Sequence, residues 1–421
     1  INKAAVALLM CVACWTLYMV HPADYLPGVT TDLLSSRINT IIEEHLGSIS
    51  TTLFFLMGAM TIVEVVDQYG GFNFVRDTLK TQSKRGLLWR VVALTFILSA
   101  ILDNMTTTIV MIMVLRKLVR DHSDRIIYAS LIILAANAGG AFSPIGDVTT
   151  IMLWNVGSIT AAGVIEELLI PSAISIFIPT LFLQYKLHGA LVEPDAATEE
   201  TAASVLSGWQ HKAVFLLGVG GLIFVPIFRY LTDLPPFVGI LLVLAVLWTV
   251  TELFFRLSKR AKTAGDMGKR VSQLLGRVDM STILFFLGIL MTVACLEEVG
   301  VLTVVGQGLD HTFHGNHYLV TGFIGVLSSI VDNVPLVAGC IGMYPLQEAG
   351  AFAVDGVFWQ LLAYCAGVGG SILIIGSAAG VVAMGLEKIS FGWYARHISW
   401  AALIGYLAGI VSYYLLRTFV F

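Results

Sequence analysis

The chain has 421 residues, 57% of them hydrophobic and 12% charged, with a mean hydropathy of +0.86 and a formal net charge of −4. Soluble domains carry roughly a quarter charged residues, so this composition excludes a soluble globular enzyme. It gives a nucleic-acid partner no basic surface, and it marks an all-α polytopic membrane protein whose surroundings are a lipid bilayer.

In chain order, residues 4–20 read as a retained first span, since no small-residue cleavage site follows the apolar run. Residues 30–46 are polar enough for an interfacial helix, and residues 49–66 form a span. A second interfacial stretch follows at 72–85. Residues 88–118 are apolar but carry Asp103 and Asn104 in the middle, and basic residues flank both ends. Lys and Arg accumulate in cytoplasmic loops. A full crossing would put those flanks on opposite faces, so 88–103 and 104–118 are predicted to be two arms of a re-entrant hairpin. Residues 126–154 read as a helix broken by "NAGGAFSPIGD", because Gly and Pro clusters stop helices. A polar linker at 192–209 and spans at 213–230 and 237–255 come next.

The pattern then recurs. "LFFL" at Leu53 returns at Leu284, "LSAILDN" returns as "LSSIVDN" with Asp332 in place of Asp103, and "GGAFSPIGD" at Gly139 returns as "GGSILIIGS" at Gly369. The three spacings agree to within two residues, which indicates a duplication. The predicted organisation is an N-terminal span and interfacial helix (1–46), a first repeat (47–188), a linker with two connecting spans (189–278) and a second repeat (279–421). Residues 49–66 lead into the basic loop of Arg76, Lys80, Lys84 and Arg85, whereas 282–296 start from a basic loop and end in 300–317, which lacks Lys and Arg. Equivalent spans therefore run in opposite directions. Inverted repeats of this kind are the common build of secondary transporters. The same reasoning puts the N-terminus in the cytoplasm and the C-terminus outside.

The polar residues at membrane depth are few. Asp103, Asn104 and Thr106 lie at the first tip, Asp332 and Asn333 at the second. Asn137, Ser143, Asp147 and Thr149 lie in the first break, Ser371 and Ser377 in the second. Gly139, Gly140, Pro144 and Gly146, with Gly369, Gly370 and Gly376, are the helix breakers. Ionisable residues inside a membrane cost several kcal/mol each and are functional hypotheses by default. Asp and Asn also cap helices, yet Ser would cap at a smaller desolvation cost. Carboxylates, amide oxygens and hydroxyls suit hard cations, whereas thiolates and imidazoles would suit transition metals. Burial favours the neutral form of a carboxylate, so a proton and a cation can compete for it. No Lys or Arg stands among these residues, which argues against an anionic substrate, although the helix N-termini keep that reading open. Glu64 is the deepest of the span-end acids (Glu252, Glu297 and Glu298 are the others) and is a candidate for the proton path. Cys11 and Cys14 form a CxxC without a partner pair and read as small apolar helix residues; no bound cofactor is expected. His311, His314 and His317 read as solvated loop residues.

"LDNMTTT", "NAGGAFSPIGDVTTIMLW" and "SSIVDNVPLVA" resemble the NhaD-type sodium/proton antiporters of the ion transporter superfamily. The resemblance spans the chain. It implies a homodimer with a scaffold and a mobile transport domain, exchange of Na⁺ (and Li⁺) for H⁺ in pH homeostasis, and a Na⁺ site at Asp103, Asn104, Asn137, Asp332 and Asn333. Asp103 and Asp332 would be cation ligands that also carry protons, with Asp147 supporting or sharing the load. The implied location is a bacterial inner membrane. Dicarboxylate symporters of the same superfamily carry Ser-Asn-Thr at their tips, which this chain lacks. An intramembrane aspartyl protease would need Tyr-Asp and Gly-x-Gly-Asp, but Leu102 and Val331 precede the tip aspartates and Pro144-Ile145-Gly146 precedes Asp147.

Overall fold

The computed structural model describes residues 3–20, 31–69, 79, 81–187, 189, 208–257 and 274–420. The regular elements are helices: α1 (Lys3–Val20), α2 (Thr31–Gln68), α3 (Lys84–Ser99), α4 (Asn104–Leu118), α5 (His122–Ala141), α6 (Val148–Asn155), α7 (Ala161–Leu183), α8 (Gly208–Thr232), α9 (Pro236–Leu257), α10 (Met280–Glu298), α11 (Val301–Thr312), α12 (His317–Ser328), α13 (Asn333–Met343), α14 (Val357–Gly369), α15 (Ala378–Glu387), α16 (Phe391–His397) and α17 (Ser399–Phe419). Among the described residues, six helices are long and apolar enough to cross a membrane. By contrast α4, α12, α13, α14 and α15 are apolar but only 10–17 residues long. They fall short of the roughly 20 residues a crossing takes, so they end inside the protein.

The helices that start at the tips and breaks begin where a side chain accepts a free N–H group. Asp103, Asp147, Asp332 and Ser377 cap α4, α6, α13 and α15. In hydrocarbon those N–H groups would otherwise stay unsatisfied. The hairpins are α3–α4 and α12–α13, and the broken helices are α5–α6 and α14–α15, as expected from the sequence. The expected interfacial helix at 30–46 is not a separate element: Thr31–Gln68 is one continuous helix, because nothing between 46 and 49 stops it. The expectations at 72–85 and 192–209 lie largely outside the described residues.

The halves interlock. α5 packs on α3, α4 and α7, and α14 packs on α12, α13 and α17. α15 crosses onto α4 and α5, and α6 onto α13 and α14. A second group forms around α2, which packs on α8, α9 and α10, with α1 lying along α10.

Matching contacts recur in both halves at atomic scale. Ser99 Oγ donates to the Ala136 carbonyl at 2.6 Å, and Ser328 Oγ to the Ala366 carbonyl at 2.9 Å. A Cβ on Gly139 would strike the Phe96 carbonyl, and one on Gly369 the Gly325 carbonyl. These two glycines allow backbone-to-backbone approach where a side chain would have to push helices apart, at a cost of about 1–3 kcal/mol. The ends are held by ion pairs. Glu387, whose side chain is fully buried, receives Nε of Arg116 and of Arg125 at 2.6 Å each, tying α15 to α4 and α5. Glu167 of α7 accepts from Arg417 and, at 3.0 Å, from Tyr413 of α17.

Ser83 and Asn316 are exposed N-caps at equivalent positions of α3 and α12. Cysteines placed there should label with an impermeant thiol reagent from opposite faces of oriented vesicles, with a loss of about 1 kcal/mol from each cap. Labelling from one face would overturn the inverted orientation.

Candidate cation site

Four helix N-termini converge, those of α4 and α13 at the tips and those of α6 and α15 at the breaks. Each carries a partial positive charge that favours a carboxylate in its first turn. The sequence supplies one at three of the four, and Ser377 at the fourth. Asp147 is 1% exposed. Its Oδ1 accepts from the Thr149 backbone N–H (3.0 Å) and hydroxyl (2.9 Å), and its Oδ2 from Asn104 Nδ2 (2.7 Å). Asn333, from the other half, reaches both oxygens with Nδ2 at 3.4 and 3.5 Å. Asn137 accepts from Asn104 at 3.1 Å and donates to Ser377 Oγ at 2.9 Å. One network thus joins Asn104, Asn137 and Asp147 of the first repeat with Asn333 and Ser377 of the second.

Asp103 and Asp332 flank this network. Asp103 accepts from the Thr106 backbone N–H at 2.8 Å and from its hydroxyl, and Asp332 from the Val334 N–H at 3.3 Å. Both tip aspartates lie within electrostatic reach of Asp147. Asp103 and Asn104 also line a cavity of about 50 Å³, room for a few waters or a partly hydrated ion. Its opposite wall is apolar and comes from α2, α8 and α10: Phe55, Met60 and Val63, Leu222, and Phe286.

The sequence has Asp147 supporting or sharing the load of the tip aspartates, and the geometry gives it amide donors from both tips. Ser143 and Ser371 use their hydroxyls differently from the other predicted residues. Ser143 Oγ donates to the Ala100 carbonyl and Ser371 Oγ to the Val368 carbonyl at 2.6 Å, so both hold the breaks in shape. Glu64 lies on α2, accepts from Gln68 at 3.2 Å and is the sequence neighbour of the cavity-lining Val63. The cavity wall was missed in the sequence, since Phe55 and Phe286 look like any other lipid-span aromatics. Thr107, fully buried one turn inside α4, has a hydroxyl without a hydrogen-bond partner among the described residues.

Comparison with known proteins gives a consistent picture. The citrate transporter family model (CitMHS) matches residues 1–361. Sodium/proton antiporter 2 of Arabidopsis thaliana is 41% identical over 99% of this chain and 95% of its own length, and sodium/proton antiporter 1 of the same plant is 43% identical over 98% and 68%. The Na(+)/H(+) antiporter NhaD of Alkalimonas amylolytica is 31% identical over 85% of this chain and 75% of its own. Among solved structures, the YdaH transporter of Alcanivorax borkumensis covers 100% of this chain and 99% of its own with a TM-score of 0.63 at 14% identity; that likeness is one of fold.

Asp147→Ala should take one of two acceptors from the buried Asn104 amide and the acceptor from the Asn333 amide, at about 1–3 kcal/mol for a donor left unsatisfied, and lower the unfolding temperature in detergent. Asp147→Asn keeps the shape and an acceptor oxygen and should cost clearly less. Equal losses for the two variants would contradict a central acceptor role.

Proposed function

The chain belongs to the citrate transporter (CitMHS) family and, within it, to the NhaD-type sodium/proton antiporters, and on that premise we propose that it exchanges Na⁺, and also Li⁺, for H⁺. The observation that carries the reading is the donor set: three aspartates, three asparagines and several hydroxyls at mid-depth, without a Lys or Arg among the tip and break residues. An Asn side chain presents either its NH₂ to a carboxylate or its oxygen to a cation. Rotation of the Asn104 and Asn333 amides would therefore convert donors around Asp147 into ligands for Na⁺. Carboxylates far from water favour the protonated form, and a cation restores the charge in exchange for the proton. Asp103 would pass ions between the cavity and Asp147.

The family model's description suggests a second reading, a cation-coupled citrate or dicarboxylate symporter. Convergent helix N-termini are good anion sites when their N–H groups are free. Here each of the four is capped by its own Asp or Ser, and three carboxylates would repel a polyanion. We therefore favour the cation.

Alternating access would use the two packing groups. The hairpins and broken helices, α3–α7 and α12–α17, would move as a body against α1, α2 and α8–α10, in an elevator-like step within a homodimer. The membrane would be one that maintains a proton gradient, and the role pH and sodium homeostasis.

Two outcomes test this. Asp103→Asn and Asp332→Asn should each reduce exchange in proteoliposomes to near background while the protein still inserts; near-normal exchange in either would remove that residue from the coupling. Second, protons and Na⁺ competing for the same carboxylates must show reciprocal linkage. Apparent Na⁺ affinity, measured by calorimetry, should weaken about tenfold per pH unit for each proton displaced as the pH falls, and level off at alkaline pH. A pH-independent affinity without proton release would contradict a shared site.

A further inference from the structure

Arg229 stands in the last turn of α8, in the group around α2, and the described residues give it no acidic partner. An unmatched cation in a membrane protein is expensive and asks for a reason. Its NH1 donates to the Trp154 carbonyl at 2.6 Å, and its guanidinium carbon lies 4.8 Å from the centroid of the Trp154 ring. Trp154 is 2% exposed and belongs to α6, the inner half of the first broken helix. The positive charge therefore sits on the negative end of α6, with a cation–π contact added.

Two further contacts join the same end of α6 to α2. Asn155 Nδ2 donates to Thr52 Oγ1 at 3.0 Å, and the Trp154 and Phe55 rings meet edge to face at 6.5 Å. The other end of α6 is Asp147, eight residues back. An α-helix of that length spans about 12 Å. A short rigid strut thus has the central carboxylate of the site at its N-terminus and an arginine of the opposite group at its C-terminus.

We propose that Arg229 is a positioning residue: by holding the C-terminal end of α6 it pins the observed arrangement of the two helix groups, and its release accompanies their movement. The inference rests on the elevator-like reading above. Any sliding of α6 past α8 must break the bond to Trp154 and uncover the indole. The latch is specific to the first repeat, since α15 ends instead on Glu387, paired with Arg116 and Arg125. Losing the latch should depopulate this arrangement without touching the ion ligands.

The test uses a cysteine reporter at Ala59, which lines the cavity on α2, in protein whose five native cysteines are replaced by alanine. N-ethylmaleimide labelling in proteoliposomes reads the cavity's accessibility, and Na⁺-dependent exchange is measured in parallel. Arg229→Ala should change the labelling rate at least threefold and shift the KM for Na⁺ together with kcat. Arg229→Lys, which keeps the charge and a donor but loses the planar fork, should reverse more than half of that change in labelling rate. If Arg229→Ala does not insert, Asn155→Ala combined with Thr52→Val removes the neighbouring contacts and should change labelling in the same direction by a smaller factor. A lowered unfolding temperature with unchanged labelling and unchanged KM would overturn the proposal and leave Arg229 a fold-stabilising residue. Labelling does not depend on which ion is carried. A latch failure in a protein that exchanges Na⁺ is therefore distinguishable from a failure of the antiport reading in a protein whose labelling responds.

Discussion

A carboxylate far from water must be surrounded by donors, and much of this molecule follows from meeting that condition at Asp147. Its neighbours in sequence supply two hydrogen bonds, through Thr149. The rest come from Asn104 and Asn333, which stand at the tips of two different hairpins. Those tips reach it only because Gly139, Gly369 and their partners let backbones touch. The close approach, the inward-ending helices and the interlocking of the halves are thus parts of one arrangement. Removing a cap or adding a methyl group at the crossing would disturb all of them together.

The arrangement is symmetric in backbone and asymmetric in chemistry. The serine and glycine contacts at the two crossings repeat nearly atom for atom. Yet Asn137 and Asp147 of the first repeat stand where the second has Gly367 and Ser377. The duplication preserved the scaffold that brings four helix N-termini together, and the side chains at the breaks diverged. One break carries the charge, and the other contributes a hydroxyl that accepts from Asn137. The network is therefore one composite site rather than two copies of a half-site. The ends of the two inner half-helices diverged too: α15 is clamped by Arg116 and Arg125 within its own group, and α6 meets Arg229 of the other.

How much of this was legible in the sequence depended on distance along the chain. Hairpin arms, breaks and caps are local events, and the residues that make them, Asp103, Asp332, Pro144 and the glycine pairs, announce them within a few positions. The expected orientation rests on the distribution of Lys and Arg, which is a one-dimensional signal. The single helix Thr31–Gln68 was less legible, since its polar first half looks like an interfacial segment until it is seen to continue. The central place of Asp147 was not legible, because it depends on where Asn333, 186 residues away, arrives in space. The apolar cavity wall and the Arg229–Trp154 contact are of the same kind. They join residues whose local sequence gives no reason to single them out.

The central claim is that this site takes a cation and rejects an anion, in a chain whose family is described by citrate transport. The most direct measurement is the collapse of an imposed pH gradient in proteoliposomes containing the purified protein, read with a pH-sensitive dye as Na⁺, Li⁺, K⁺, succinate and citrate are added separately. The account predicts rapid collapse on adding Na⁺ or Li⁺ as a salt of an inert anion, and none with K⁺ or with either carboxylate as its K⁺ salt. Collapse that requires citrate or succinate, and fails with Na⁺ alone, would contradict it.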